Sequence, residues 1–261
     1  MTEERTLRVD VKDGVATLTL DRPKARNALS VALLTELESA LEAIRGQRGE
    51  VRAVIVRGEG PAFSAGHDLK EMRRSPDREA YAALFTQCSR VMTAIVRLPQ
   101  PVIAEVHGVA TAAGCQLVAS CDLAVAARDA RFATPGVNIG LFCSTPMVAL
   151  SRAVGRKAAM EMLLTGRLLS ADEAQAIGLV NRVVEPDQLS VEARALAEQI
   201  AGKSSLTVAI GKEAFYRQAE LPLDEAYAYA TEVMTRNMMA RDAAEGIDAF
   251  LEKRPPTWKG E

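Results

Sequence analysis

Apolar and polar residues alternate near the start of the chain, which is the period of a half-buried β-strand. Two such segments cover residues 7–11 and 15–20. Between them lies Asp13-Gly14, a pair of residues that favours a tight hairpin turn. The pattern therefore predicts that the fold begins with a β-hairpin.

Beyond the hairpin, the apolar spacing changes to that of amphipathic helices, which alternate with short apolar runs. Ser30 is predicted to cap the first helix. The apolar stripe of that helix consists of Leu33, Leu34, Leu37, Leu41 and Ile44. A second helical stripe covers residues 81–95 and ends before Pro99. The runs predicted to be buried strands are residues 51–56, 102–106 and 123–127.

Helical patterns dominate from about Thr145 onward, with residues 178–184 as the clear later strand. The alternation of strands and helices predicts an α/β core over residues 1–200. Residues 201–261 are predicted to form a helical extension that is continuous with this core. Its apolar helix faces would suit assembly into an oligomer, although closing the core of the same chain would explain them equally well.

The composition is that of an ordinary soluble protein, with 48% hydrophobic and 25% charged residues. A net charge of −2 gives no general attraction to nucleic acid or to an anionic membrane, and aromatic residues make up only 4% of the chain. Because the chain has only two histidines and no Cys-x-x-Cys pair, no metal site is predicted. The N-terminal residues contain no apolar signal segment, so a cytoplasmic protein is expected.

Three segments are candidates for chemistry. Residues 62–72, AFSAGHDLKEM, and residues 106–122, VHGVATAAGCQLVASCD, each place small residues before a helix. Backbone N–H groups at such helix starts can face a developing negative charge, although tight turns and close helix packing would explain the same residues. Residues 131–146, RFATPGVNIGLFCSTP, are predicted to form a long loop at the end of the sheet, where loops often line pockets.

The order and spacing of these segments resemble the crotonase (enoyl-CoA hydratase/isomerase) superfamily over nearly the whole chain. Further matching segments are LDRPKARNAL at residues 20–29, SRAVGRKAAMEMLLTGRLLSADEAQAIGLVNRVV at 151–184 and GIDAFLEKRPPTW at 246–258. HDLKEM, AAGCQLVASCD and FATPGVNIGLFCSTP resemble a mitochondrial enoyl-CoA hydratase domain-containing subgroup. The resemblance implies a spiral of ββα units with C-terminal helices, assembled as a homotrimer or a dimer of trimers.

The resemblance also implies an acyl-CoA thioester as ligand, with coenzyme A as part of the substrate and no permanently bound cofactor. In this family two backbone N–H groups bind the thioester carbonyl oxygen and stabilise an enolate, and the matching residues are His67 and Ala113. The matching CoA-binding positions are Lys24, Ala25, Arg26, Ser64, Gly66, Asp68, Leu69 and Lys70. Phe250 and Lys253 match C-terminal positions that reach the CoA of a neighbouring subunit.

The chain departs from the family pattern at the two positions where a hydratase has glutamates. Gln116 occupies the first position and Gly136 the second. Glutamine cannot exchange a proton at neutral pH, and glycine offers no functional group. Hydration by the usual two-carboxylate route is therefore not expected, and neither is the isomerisation that depends on the second glutamate.

Four other side chains could carry chemistry but have simpler explanations. Glu105 is expected to make a structural ion pair or a subunit contact rather than to act as a base. The imidazole of His67 is expected to point to solvent or to bond Asp68. His107 is predicted to be a satisfied turn residue, and Cys143 a packed thiol.

The sequence thus predicts a protein of the enoyl-CoA hydratase/isomerase type, a lyase by family, that binds acyl-CoA. Three alternatives remain: a different CoA-thioester reaction such as hydrolysis or decarboxylation, a non-catalytic acyl-CoA binder, or a structural oligomer without a ligand. Restoring both glutamates, by Gln116→Glu with Gly136→Glu, is expected to raise crotonyl-CoA hydration if the pocket is otherwise intact.

Overall fold

A computed structural model describes residues 5–74 and 76–261, so residues 1–4 and 75 of the predicted core lie outside the described residues. The strands are β1 (Leu7–Lys12), β2 (Val15–Leu20), β3 (Ala53–Gly58), β4 (Val102–Val106), β5 (Val109–Thr111), β6 (Leu123–Ala127), β7 (Arg131–Ala133), β8 (Leu169–Ser170) and β9 (Arg182–Val184). The helices of the core are α1 (Val31–Arg45), α2 (Leu69–Arg74), α3 (Arg78–Arg97), α4 (Ala113–Ser120), α5 (Ser144–Ala153), α6 (Arg156–Thr165), α7 (Ala171–Ala176) and α8 (Leu189–Ala201). The C-terminal helices are α9 (Ser205–Gln218), α10 (Leu223–Met238) and α11 (Arg241–Glu252).

The larger sheet has the strand order β1-β2-β3-β4-β6-β9 in the described part of the chain. β1 and β2 form the predicted antiparallel hairpin, and its turn residues Asp13 and Gly14 adopt φ angles of 51° and 78°. From β2 onward, neighbouring strands run parallel, with helices such as α1 and α3 in the crossovers. The predicted α/β class is therefore confirmed.

Side chains that alternate along the strands cover both faces of this sheet. Leu18, Val56 and Val106 belong to the core beneath α1, α3 and α4, and the five predicted apolar residues of α1 are buried there. On the opposite face, Ile55 and Ile103 pack against α8. Full burial of one such side chain stabilises the fold by about 1.5–3 kcal/mol. The sheet is consequently a rigid platform for the loops at its strand ends.

A smaller sheet with the order β5-β7-β8 corrects the prediction of a continuous loop over residues 131–146. β7 pairs in parallel with β5, a 3₁₀ turn follows over Pro135–Ile139, and α5 begins at Ser144. Three-residue and two-residue strands leave no alternation to detect, which is why β7 and β8 were missed. The bounds of two strands also differ from the predicted ones. β3 begins at Ala53 instead of residue 51, and β9 covers only Arg182–Val184 of the predicted residues 178–184.

Polar contacts attach the C-terminal helix α9 to the core, and no apolar residue of α9 is buried. Lys212 Nζ donates hydrogen bonds to the carbonyl oxygens of Ile95 (3.0 Å) and Gln100 (3.1 Å) and pairs with Asp122 Oδ2 at 2.6 Å. Tyr216 OH donates to Asp122 Oδ1 at 2.9 Å. α10 and α11 pack on α9, so this buried anchor positions the C-terminal helices relative to the core.

Candidate functional site

Two of the three candidate segments are joined by backbone hydrogen bonds. Ser64 N donates to Val109 O at 3.1 Å, and Thr111 N donates to Ser64 O at 3.0 Å. The start of α4 is packed against the same loop, because a Cβ atom on Gly114 would lie only 2.2 Å from Ser64 O. The loop of residues 62–68 and the segment 109–114 therefore form one unit, which we call the paired loops.

Gly66 and Ala112 meet at the centre of the paired loops. Gly66 has a φ of +90°, and a Cβ atom there would lie 2.9 Å from Ala112 Cβ and 3.2 Å from Ala113 N. Ala112 has the unusual backbone angles φ 50° and ψ −118°. A non-glycine residue in such a conformation costs about 1–3 kcal/mol and persists where the surrounding structure enforces it. Here Ala112 N donates a hydrogen bond to Ala133 O at 2.9 Å, which fixes this conformation.

The backbone N–H groups of His67 and Ala113 are free at this junction. Leu29 N donates to Gly66 O and Asp68 N donates to Leu29 O, so the bonds to Leu29 bypass the intervening N–H of His67. Ala113 is the first residue of α4, and its N–H has no partner within the helix. Within the described residues, neither group donates a hydrogen bond. The arrangement can therefore bind an oxyanion, with the positive end of the α4 dipole beside it.

The predicted CoA-binding residues of two distant segments lie side by side. Ala65 N donates to Arg26 O at 3.0 Å, and Ser64 Oγ donates to Asn27 O at 2.9 Å. Lys24, Arg26 and Lys70 are exposed, whereas Ser64 and Gly66 are buried and their backbone N–H and C=O groups are hydrogen bonded within the protein. The predicted positions that the structure groups here are Lys24, Ala25, Arg26, Ser64, Gly66, Asp68, Leu69 and Lys70. Phe250 and Lys253 lie at the end of α11, and both are exposed.

Asp68 is occupied by structural contacts, as its position at the start of α2 implies. Its Oδ1 accepts hydrogen bonds from the backbone N–H groups of Lys70 and Glu71, both at 3.2 Å. Its Oδ2 pairs with Arg22 at 2.9 Å. Burial raises the pKa of Asp68, but the Arg22 guanidinium and the two N–H groups outweigh it and leave the pKa below its ordinary value. Asp68 therefore fixes the loop that carries His67.

The imidazole of His67 is placed differently from either expectation. Both ring nitrogens are shielded from solvent and make no hydrogen bond to a described residue. The ring stacks edge-on against Phe85 of α3, with ring centres 5.5 Å apart, and Asp68 is turned away toward Arg22. Burial lowers the pKa of His67. The prediction was wrong because the pairing of Asp68 with a residue 46 positions away leaves no sequence signal.

Gln116 and Gly136, the two positions where the resemblance predicts replaced glutamates, differ in the space around them. Gln116 is 4% exposed, its side-chain Oε1 has no partner among the described residues, and its backbone N–H bonds Ala112 O at 3.0 Å. At Gly136, a Cβ atom would lie 2.7 Å from Leu141 O and 2.9 Å from Cys143 Sγ. The loop returns across Gly136 at Leu141 and Cys143, so a side chain at this position would require the loop to shift.

Glu105, His107 and Cys143 have the structural surroundings that the sequence favours. Glu105 Oε1 accepts a hydrogen bond from Ser190 Oγ at 2.7 Å and lies 3.4 Å from the Arg57 guanidinium. His107 Nε2 lies 2.8 Å from Gly60 O. Burial raises the pKa of Cys143, although the Gly136 N–H opposes it. A buried thiol with a raised pKa is a poor nucleophile.

A cleft of about 1410 Å³ extends along α4 between the core and α9. Gln116 lines it, Ser89 and Met92 of α3 form one wall, and the Asp122–Lys212 pair also lines it. Sequence reasoning missed this pair, and it also missed Thr134, whose Oγ1 is buried without a partner among the described residues. In the sequence, the feature that could have indicated the Asp122–Lys212 pair was Lys212 itself, a charged residue within the helical pattern of α9.

Comparisons with known proteins agree with the geometry. Residues 10–261 match the family model described as "Enoyl-CoA hydratase/isomerase". A solved structure of an enoyl-CoA hydratase from Mycobacterium smegmatis is 58% identical, with a TM-score of 0.95, and 98% of this chain and 99% of that chain are covered. The crystal structure of human enoyl Coenzyme A hydratase domain-containing protein 3 is 48% identical, with a TM-score of 0.94, and covers 97% of this chain and 100% of that chain.

A rat relative, "Enoyl-CoA hydratase domain-containing protein 3, mitochondrial", is 48% identical over 98% of this chain and 85% of its own length. These matches confirm the crotonase fold, and they confirm the resemblance stated above, subgroup included. They contradict the expectation of a cytoplasmic protein, because the rat, mouse and human relatives are all named as mitochondrial. Among the described residues, no helix is long and apolar enough to cross a membrane.

Proposed function

Because the chain belongs to the enoyl-CoA hydratase/isomerase family, we propose that it binds acyl-CoA thioesters and stabilises an enolate-like oxyanion. The observation that carries this proposal is the pair of free N–H groups of His67 and Ala113 on the paired loops. A thioester carbonyl oxygen between them would receive two hydrogen bonds as negative charge develops. Each donor of this kind contributes roughly 3 kcal/mol of transition-state stabilisation.

Charge on the surface beside the paired loops suits the coenzyme A part of the ligand. Lys24, Arg26 and Lys70 are exposed there, and their cationic groups complement phosphates. The acyl chain would leave the oxyanion site past Gln116 and enter the cleft between α4 and α9, where Met92 and Val148 supply apolar surface. One ligand would thus span a charged rim, a polar reaction centre and an apolar cleft, with coenzyme A as part of the substrate and no permanently bound cofactor.

The same site does not support hydration by two carboxylates. Gln116 cannot exchange a proton at neutral pH, and a side chain at Gly136 would require the loop to shift. General acid and base groups typically contribute roughly 10²–10⁴-fold each to the rate. A reaction of this protein would therefore depend mainly on stabilisation of an enolate or a tetrahedral oxyanion, as in decarboxylation or in thioester hydrolysis by water.

Assembly into a homotrimer or a dimer of trimers is part of the proposal. Large apolar side chains on α10 and α11 are exposed in the single chain, including Tyr227 (71%), Met234 (60%) and Phe250 (82%). Exposed apolar surface of this extent is typical of protein interfaces. In such an assembly Phe250 and Lys253 would contact the CoA of a neighbouring subunit. Light scattering coupled to size exclusion would give the subunit number directly.

Calorimetric titration with crotonyl-CoA and with free coenzyme A tests the proposed ligand. We expect saturable binding of both, with the thioester bound more tightly. Lys24→Glu should weaken both about 3–10-fold because it reverses a charge at the proposed phosphate site. The matched control is Lys12→Glu, which makes the same charge change at an exposed position of β1 and should leave binding unchanged. Absence of binding by the folded protein would reject the function.

A further inference from the structure

The last helix and the segment after it return to the junction between α8 and α9. Residues 202–204 form this junction, which connects the core to the C-terminal helices. Trp258 Nε1 donates a hydrogen bond to Gly202 O at 3.0 Å. Asp242, near the start of α11, accepts a hydrogen bond from Ser204 Oγ at 2.6 Å. Both ends of the junction are thus bonded to α11 or to the segment that follows it.

The carboxylate of Asp242 binds the last residues of the chain as well as the junction. Its Oδ1 accepts a hydrogen bond from Lys259 N at 2.8 Å, and its Oδ2 accepts one from Gly260 N at 2.9 Å. Asp242 N in turn donates to Glu261 O at 2.9 Å. Asp242 is only 2% exposed, and these N–H groups together with the Ser204 hydroxyl replace its hydration. One side chain therefore connects α11, the last residues and the junction.

The indole ring of Trp258 lies against α11. A Cβ atom on Gly246 would lie 3.0 Å from the nearest ring atom, so the absence of a side chain at Gly246 lets the ring approach the helix. Glu245 Oε1 accepts a hydrogen bond from Thr257 N at 2.7 Å beside it. We call residues 257–261 the strap, because they follow α11 and bind the junction.

The C-terminal helices have little apolar burial that could fix their orientation. α9 buries no apolar residue, α10 buries Ala226 and Val233, and α11 buries Ala249. Helices in proteins ordinarily depend on the packing of an apolar face. The large apolar side chains of α10 and α11 are instead exposed at the proposed assembly surface. Polar contacts must therefore set much of the angle between these helices and the core.

Two sets of polar contacts can fix this angle. Lys212 and Tyr216 bind Asp122 and hold the later part of α9 on the core. The strap and Asp242 hold the junction at the start of the same helix. Ser204, the N-cap of α9, and Lys212 are separated by roughly 12 Å along the helix axis. A helix held at one point can pivot about it, whereas two points at this separation fix its direction.

We propose that the strap positions the C-terminal helices relative to the core, with Asp242 and Trp258 as the positioning residues, so that α10 and α11 present their apolar surface to another subunit in one orientation. This inference rests on the assembly that forms part of the proposed function. Helices that are already oriented lose less conformational freedom when subunits associate. The strap therefore favours assembly although it need not touch the neighbouring subunit.

Amide hydrogen exchange followed by mass spectrometry tests how firmly the strap holds these helices. Asp242→Asn keeps the shape of the side chain but replaces an acceptor oxygen by an N–H₂ group that faces other donors. We expect exchange in α9–α11 to become about tenfold faster, with exchange in β3 and β4 unchanged. Trp258→Phe keeps an aromatic ring beside Gly246 but removes the indole N–H, and about a threefold increase in the same helices is expected.

The second readout is the protein concentration at which the assembly dissociates, measured by light scattering on serial dilution. Asp242→Asn should raise this concentration about tenfold, because the helices then have to be ordered during association. Asp248→Asn is the matched control. It makes the same substitution at an exposed position of α11, and it should match the wild type in both measurements.

Three results would overturn the proposal. Exchange in α9–α11 that equals that of the Asp248→Asn control would show that the strap does not hold the helices. Equal acceleration in β3 and β4 would show a general loss of stability, and Trp258→Phe repeats this test if Asp242→Asn does not fold. Faster exchange in α9–α11 with unchanged dissociation would exclude a positioning role in assembly. A wild-type protein that is monomeric at every concentration would instead reject the proposed assembly, whatever the exchange shows.

Discussion

The candidate site consists of a backbone part and a side-chain part that differ in what they retain. In the backbone part, the paired loops present the N–H groups of His67 and Ala113, held by close contacts at Gly66 and Gly114. In the side-chain part, the resemblance predicts that Gln116 and Gly136 replace the two proton-transferring glutamates of a hydratase. If the proposed function holds, binding of a thioester oxygen and transfer of protons are separable properties of this fold.

The largest expected loss of stability comes from a substitution in the backbone part. Gly114→Ala places a methyl group 2.2 Å from Ser64 O, a backbone atom that cannot move without breaking the pairing with β5. We expect a loss of more than about 3 kcal/mol in the free energy of unfolding, beyond the usual cost of overpacking. Urea denaturation measures it.

Gly211→Ala is the control for this substitution. Gly211 lies on the exposed side of α9 with no atom within 4 Å of the added methyl group, so alanine should stabilise the protein by about 0.5–1 kcal/mol. Equal stability of the two variants would show that the paired loops are not close-packed as described.

The next largest effect concerns the side-chain part. A Cβ atom on Gly136 would lie 2.7 Å from Leu141 O and 2.9 Å from Cys143 Sγ, and the sulfur can shift more easily than the backbone. Gly136→Ala should therefore cost about 1–3 kcal/mol in urea denaturation. The double variant Gln116→Glu with Gly136→Glu should not gain crotonyl-CoA hydration, contrary to the expectation for an intact pocket. A gain of tenfold or more over the wild type, about 1.4 kcal/mol of barrier, would show that the loop reopens.

The smallest expected effect on stability concerns Asp68, which fixes the loop that carries His67. The pKa of Asp68 lies below the ordinary value of 3.8, so the unfolded chain binds this proton more readily than the folded one. The stabilisation is therefore present above the unfolded value and is lost as the pH falls through the folded pKa. Asp68→Asn should cost about 1 kcal/mol near neutral pH.

The pH dependence of the difference between the wild type and the Asp68→Asn variant is the informative measurement for that prediction. The difference in unfolding free energy should shrink as the pH is lowered below 3.8, because the wild-type carboxyl also becomes protonated as the pH falls through its folded pKa. A difference that does not change with pH would mean that the Arg22 pair makes no contribution.

Sequence patterns predicted the long elements of the fold, whereas the family resemblance supplied the two expected backbone donors. The Asp13-Gly14 hairpin, the apolar stripe of α1 and the strand–helix alternation all follow from local spacing, and the structure confirms them. Ordered motifs placed His67 and Ala113 together because each motif has a characteristic local sequence. Elements of two or three residues, β7 and β8, carry no such pattern.

The environment of individual side chains could not be predicted in the same way. The imidazole of His67 packs on Phe85 and Asp68 pairs with Arg22, contacts between residues far apart in the chain. Likewise, the close packing at Gly136 arises because the chain folds back and brings Leu141 O and Cys143 Sγ next to it. Such contacts are determined by tertiary packing, which a local pattern does not encode.

The most direct test of the central claim measures binding and hydration of crotonyl-CoA on the same purified protein. A family hydratase with both glutamates should be assayed alongside it. We expect saturable binding together with a hydration rate at least roughly 10³-fold below that of the hydratase, since both proton-transferring groups are missing. Hydration at a comparable rate would contradict the account, because it would require another group at the site to transfer the proton.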